Sequence, residues 1–142
     1  MSVVMDAVAL RAFLEAEFPQ SLQVGFEITR VDAKGVGLVL RTGDHHLRPG
    51  GTIMGPTLMM LADTATYLVI LSRVGPVALA VTSSLEMHFL RKPPPGTLHV
   101  DARLLKLGKS LAVAVVDIYA EGAGEAPVAH ATVTYAIPSS KG

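Results

Sequence analysis

Across residues 97–104 apolar and polar positions alternate without a break. Leu98, Val100, Ala102 and Leu104 fall on one side, and Thr97, His99, Asp101 and Arg103 on the other. A period of two with one buried and one wet face predicts a strand of an antiparallel sheet. Further β-type runs cover residues 77–90, 111–119 and 128–137, separated by Pro93-Pro94-Pro95-Gly96, Leu107-Gly108-Lys109 and Glu121-Gly122-Ala123-Gly124. Upstream, residues 22–31 and 36–41 alternate around Asp32-Ala33-Lys34-Gly35, which predicts a hairpin.

Two segments follow the helical period instead. Residues 7–18 place Ala7, Leu10, Phe13, Leu14 and Phe18 on one face, with Arg11, Glu15 and Glu17 elsewhere and Pro19 as the stop. Residues 53–71, IMGPTLMMLADTATYLVIL, are apolar almost all round, as a helix buried on every side would be. Gly55-Pro56 suits its start, Gly75-Pro76 its end, and residues 43–51, GDHHLRPGG, read as the loop before it. The order is helix, two strands, long apolar helix, four strands. The simplest way to bury the long helix is an α+β fold, with a curved antiparallel sheet of five to six strands wrapped around it. At ~1.5 Å per residue that helix spans ~28 Å, so the sheet covers one side only and a partner chain is expected on the rest. The expected organisation is one domain over residues 1–142, with a helical N-terminal segment (1–20) and a flexible tail (138–142).

One carboxylate, Asp63, stands in the middle of the apolar helix. A carboxylate taken out of water is costly unless it is paired, protonated or used. Asp63 is therefore either a satisfied core residue or part of a reaction site. That acid, Pro56, three threonines and the lack of basic flanks argue against a membrane span. The N-terminal residues have no basic region before an apolar run, so they do not read as a signal peptide, and the cytoplasm is the expected location. Twelve Lys and Arg balance twelve Asp and Glu and are scattered, which is not the footprint of a nucleic-acid binder. There is no cysteine, which removes disulfides, thiolate metal sites and a Cys nucleophile.

The stretch Arg48-Pro49-Gly50-Gly51-Thr52-Ile53-Met54-Gly55-Pro56, followed by Leu61-Ala62-Asp63, Phe89-Leu90-Arg91-Lys92-Pro93 and Leu105-Lys106-Leu107-Gly108-Lys109, resembles the hotdog-fold thioesterases of the phenylacetic-acid-degradation type, a 4-hydroxybenzoyl-CoA thioesterase-like superfamily. The resemblance runs over residues 22–137. It implies a hotdog fold, hydrolysis of an acyl-CoA thioester, no cofactor beyond the coenzyme A of the substrate, and self-association as a homodimer and a dimer of dimers. It also implies that Asp63 is nucleophile or general base, that the Gly55 N–H polarises the carbonyl, and that Thr82 helps hold the attacking water. Two positions depart from the family pattern: Arg48 stands where Asn is usual and Met54 where His is usual.

Read on their own terms, Gly55-Pro56 are either an ordinary helix start or an oxyanion site built from free N–H groups and the helix dipole. Asp63 lies eight residues beyond Gly55, or ~12 Å along the axis. A reacting carbonyl must sit about 3 Å from both base and donor, so a joint site needs Gly55 from one chain and Asp63 from another. Met59, Met60, Thr66 and Tyr67 lie at helical spacing from Asp63 and form either an acyl pocket or plain core. Asp44-His45-His46 reads as a solvated loop rather than a metal site, with His46 or Arg48 placed to approach a thioester. His88 and His130 read as structural and His99 as solvated. Arg91, Lys92, Lys106 and Lys109 are expected to cluster, as a phosphate clamp or as a solvated rim. Two rival functions remain beside thioester hydrolysis. One is a hotdog dehydratase or hydratase, which Met54 disfavours; the other is a non-catalytic or weakly catalytic acyl-CoA binding protein.

Overall fold

The computed structural model describes residues 2–139. Ser140, Lys141 and Gly142 of the expected tail lie outside the described residues. Helix α1 (Ala7–Glu17) starts at Asp6, whose Oδ1 accepts from the Ala9 N–H at 2.9 Å. It buries Leu10 and Leu14 on its inner side. Strands β1 (Glu27–Asp32) and β2 (Gly35–Arg41) form the expected hairpin. Helix α2 (Gly55–Val74) follows, then β3 (Val81–Phe89), β4 (Thr97–Leu107), β5 (Leu111–Ala120) and β6 (Ala129–Ala136).

The six strands form one antiparallel sheet in the order β1-β2-β4-β5-β6-β3, with α2 packed on it. This is the hotdog arrangement. The inward positions facing α2 are often small: Ala102 on β4, Ala112 and Ala114 on β5, Ala129 and Ala131 on β6 are all buried. Small residues let the helix sit close, and Leu58, Leu61, Leu68 and Leu71 then fill the space, each buried leucine stabilising by about 1.5–3 kcal/mol. Arg73 in the last helical turn is buried as well. Its Nη2 donates to the Asp32 carbonyl at 2.7 Å, tying the β1–β2 turn to the helix end, where a cation also suits the dipole.

Two expected strands start later than the alternation suggests. Residues 22–24 belong to a 3-10 turn over Pro19–Val24, opened by Pro19 and closed by Gly25 at φ +95°. Residues 77–80 make a turn after Gly75, with the Ala80 N–H on the Val77 carbonyl. Ile53 precedes α2 in a bridge with Leu47.

The β1–β2 turn is closed by Asp32 Oδ1, which accepts from the N–H groups of Lys34 (2.9 Å) and Gly35 (3.1 Å). Gly35 has φ +150°, and a Cβ there would lie 1.9 Å from the Ala102 carbonyl oxygen. Gly35→Ala should therefore destabilise the protein by at least ~2 kcal/mol, read as a lower denaturant midpoint. An unchanged midpoint would show that the β2–β4 pairing has slack at this point.

Candidate active site

Every residue of α2 from Leu61 to Arg73 is buried except Asp63, which is half-buried. The acid is thus not sealed in the core as its apolar neighbours suggest. It sits on the stripe Pro56, Met59, Met60, Asp63, the side of α2 that neither the sheet nor α1 covers. Thr82 on β3 donates from Oγ1 to Asp63 Oδ1 at 2.5 Å, beside an irregularity of the β3–β6 ladder between Thr82 and Ser84. The Thr82 proton is thereby committed to the carboxylate, and its lone pairs are what remain for a water. Tyr135 on β6 donates to the same Oδ1 at 2.9 Å and lies 3.1 Å from the Asp63 carbonyl. Burial foremost, with the Asp63 charge beside it, pushes the Tyr135 phenol well above its ordinary value, so it stays a neutral donor.

Asp63 opens onto two adjoining cavities of about 410 Å³ each, with Phe18, Tyr67 and Tyr135 in the walls of both. Glu17 and the 79–82 segment border one; Met60, Gln20 and Gln23 border the other. Phe18 meets Tyr67 edge-on with ring centroids 6.0 Å apart, and Tyr67 lies 6.2 Å from Tyr135. Of the expected pocket residues, Met60 and Tyr67 are present. Met59 is exposed and outside these walls, and Thr66 is buried with its hydroxyl on the Ala62 carbonyl, as a helical threonine often is.

The start of α2 opens elsewhere. Gly55 lines a separate cavity, also about 410 Å³, with Arg48, Phe89, Arg91, Lys92 and Pro93. Among the described residues no acceptor takes the Gly55 N–H, since the first bond of the helix start is Thr57 N–H to the Met54 carbonyl. Met54 borders a further recess with His45, His46 and Gln23. The expectation of a solvated Asp44-His45-His46 loop fails at His46, which is buried. Its Nδ1 accepts from the Gly43 N–H at 2.9 Å, so Nε2 carries the proton and donates to the Val24 carbonyl at 2.9 Å. Both ring nitrogens are occupied, so neither a metal nor a thioester can be served by His46. His130 pairs with Asp117 at 2.7 Å, and His88 and His99 pair with exposed glutamates.

The basic cluster does not form within one chain. Arg91 and Lys92 precede the first residue of β4, whereas Lys106 and Lys109 flank its last, and an eleven-residue strand holds the two pairs roughly 35 Å apart. Pairing β4 with β5 cannot close that gap, because a hairpin brings together the residues next to its turn and not the far ends of its strands. Arg91 Nη1 instead donates to the Pro127 carbonyl at 2.5 Å, and Lys106 borders a shallow pocket with Lys34 and Arg73.

Residues 50–136 match the family model of the thioesterase superfamily, and the chain belongs to that superfamily. A crystal structure from Silicibacter sp. TM1040, of a protein assigned as a thioesterase, is 45% identical, with 97% of this chain and 95% of that chain covered and a TM-score of 0.87. A phenylacetic acid degradation-related protein from Ralstonia eutropha JMP134 is 26% identical over 90% of this chain and 98% of that one, at a TM-score of 0.78. A hypothetical thioesterase from Streptococcus pneumoniae TIGR4, crystallised with coenzyme A, shares the fold at 20% identity, 92% and 98% coverage and a TM-score of 0.76. No curated protein matches the chain.

Proposed function

We propose that this protein hydrolyses acyl-coenzyme A thioesters to the free acid and coenzyme A, in a site made by two chains. The observation that carries the reading is the pair of groups on α2: a free N–H at Gly55 and a half-buried, hydroxyl-anchored carboxylate at Asp63, opening into different cavities of one chain. The Gly55 N–H and the α2 dipole polarise the thioester carbonyl. Asp63 takes the proton of a water as its oxygen bonds to the carbonyl carbon, or attacks that carbon itself to give an anhydride that water then opens. In either case the carbon–sulfur bond breaks and the coenzyme A thiolate leaves with a proton. Superfamily membership and the coenzyme A held by the Streptococcus pneumoniae neighbour support the substrate class.

The sheet offers a way to join the two ends. Its edges are β1 and β3. β1 carries Glu27, Arg30 and Asp32, charges that discourage strand addition, whereas β3 has exposed Val81 and Phe89 and a single carboxylate, Glu86. Thr82 touches Asp63, and the Phe89 ring lies against Gly55, where an added Cβ would meet it at 3.4 Å. Antiparallel pairing of β3 with a second β3 about Leu85 or Glu86 sets Thr82 beside the partner's Phe89. The Asp63 end of each chain then faces the Gly55 end of the other.

The register also places the Leu107-Gly108-Lys109 hairpin at the Thr82 end, since Leu111 pairs with Ala136 and Ala136 with Val81. In the paired dimer Lys106 and Lys109 lie toward the partner's Arg91 and Lys92, apart within a chain but on one side of the shared site. Exposed cations that hold phosphate act mainly on binding and weaken with salt. Reversing Lys106 and Lys109 to Glu should raise KM for acyl-CoA several-fold with kcat nearly kept, and spare a short thioester lacking the nucleotide. Equal losses on both substrates would assign the hairpin a structural role. A thiol-release screen across acyl chain lengths tests the function itself. Tight binding without turnover on any chain length would favour an acyl-CoA binding protein, the reading that Arg48 and Met54, as departures from the family pattern, support.

A further inference from the structure

Thr82 and Tyr135 both reach Oδ1 of Asp63, and among the described residues no group reaches Oδ2. Among the described residues no buried side-chain oxygen lacks a partner, so Oδ2 is not a buried atom: it opens to the cavity. We propose that Tyr135 is a positioning residue of this site, which with Thr82 pins Oδ1 of Asp63 and turns Oδ2 toward the substrate as the reacting oxygen. The role of Oδ2 rests on the thioesterase reading; the pinning of Oδ1 does not.

The terminal torsion of an aspartate is broad, so an unheld carboxylate swings and exchanges its oxygens. Two donors on one oxygen remove that freedom. Tyr135 is suited to the task by its place in the fold. The burial pattern of β6 alternates strictly, which sends Tyr135 inward at 4% exposure with its ring near Tyr67 and its hydroxyl on the Asp63 end of the cavity. Phenol and threonine hydroxyl are also the donors that hold the charge. The groups around Asp63 are Glu17 and Phe18 from the end of α1, Gln20, Ser21 and Gln23 from the 3-10 turn, Met60, Thr64 and Tyr67 from α2, Thr82 from β3 and Tyr135 from β6. Among the described residues of one chain no Lys, Arg or His borders either cavity, and Glu17 acts against the charge. Within the chain, loss of one hydroxyl donor therefore falls directly on the hold of Oδ1.

The test follows the carboxylate itself. In protein labelled with carbon-13 at the aspartate carboxyl, the Asp63 signal is the one lost in Asp63→Asn. In Tyr135→Phe, which removes only the hydroxyl, that signal should change position at a fixed neutral pH, because the carboxyl loses one of its two donors. With it kcat at neutral pH should fall ~10-fold and KM stay nearly unchanged, the loss expected for one charge-assisted donor. A ring-fluorinated tyrosine at position 135 keeps the shape and is a stronger donor, so it should move the signal the other way. It decides the matter if Tyr135→Phe fails to fold. A role confined to packing would lower the melting temperature and leave the carboxyl signal and kcat where they are, which overturns the proposal. A parent protein that hydrolyses no thioester while the signal still moves would overturn the thioesterase reading and support the pinning.

Discussion

Asp63→Asn should lower thioester hydrolysis at least ~100-fold and leave the protein folded, since a positioned base or nucleophile contributes on that scale. The amide keeps the shape of the side chain and an acceptor oxygen for Thr82 and Tyr135, so the polar contacts around position 63 survive the change. What is lost is the ability to take a proton or to attack a carbonyl. Steady-state thiol release, with circular dichroism and a melting curve on the same sample, separates the two effects. Near-normal turnover in a well-folded variant would remove Asp63 from the chemistry and leave it as a polar residue of the uncovered helix face.

That face explains why the sequence pattern shows the helix clearly and its surroundings less so. A helix that is apolar nearly all round is buried nearly all round, but the pattern does not say by what. The sheet takes the side of Leu61, Ala65 and Leu68, and α1 packs with its Phe13 against Tyr67. The stripe of Pro56, Met59, Met60 and Asp63 is left open, so its methionines, which look like core residues in the sequence, are exposed in the chain. Asp63 was legible as an anomaly; its half-burial was not.

The strands were legible where alternation is strict, as in β4, and misplaced where an alternating pair of apolar residues serves another geometry. Leu22 and Val24 fit a strand by spacing, yet Pro19 in the first position of a 3-10 turn sets the local backbone instead. The basic residues illustrate a different failure. They seemed adjacent because each pair neighbours a turn, but consecutive turns of an antiparallel sheet lie at opposite ends of the strand between them. Tyr135 went unremarked although the signal was there. It follows Val133 at the inward period of β6, and a buried phenol requires an acceptor. Asp63 is the one carboxylate that α2 offers to that face.

Mixing two inactive proteins should restore activity if the site is shared. Asp63→Asn subunits keep Gly55, and Gly55→Pro subunits keep Asp63 while losing the backbone donor. Proline is tolerated in the first turn of a helix, and the Phe89 ring leaves ordinary contact distance for an added carbon at position 55, so Gly55→Pro should fold. In a mixed dimer one site combines the intact Gly55 of one chain with the intact Asp63 of the other, and the second site has neither. Random exchange makes half of the dimers mixed, so activity should return to roughly a quarter of the parent level. If each chain carried a complete site, every site in the mixture would hold a lesion and no activity could return. The two geometries therefore differ by an all-or-none result, provided mass spectrometry of the intact dimers shows that the chains have exchanged. The expected recovery is also specific to this pair of positions. Mixing Asp63→Asn with Tyr135→Phe, whose lesions lie on the same side of the site because the two residues meet within one chain, should leave one lesion in each site of every mixed dimer and no intact site at all, so activity should not rise above that of the Tyr135→Phe sites present.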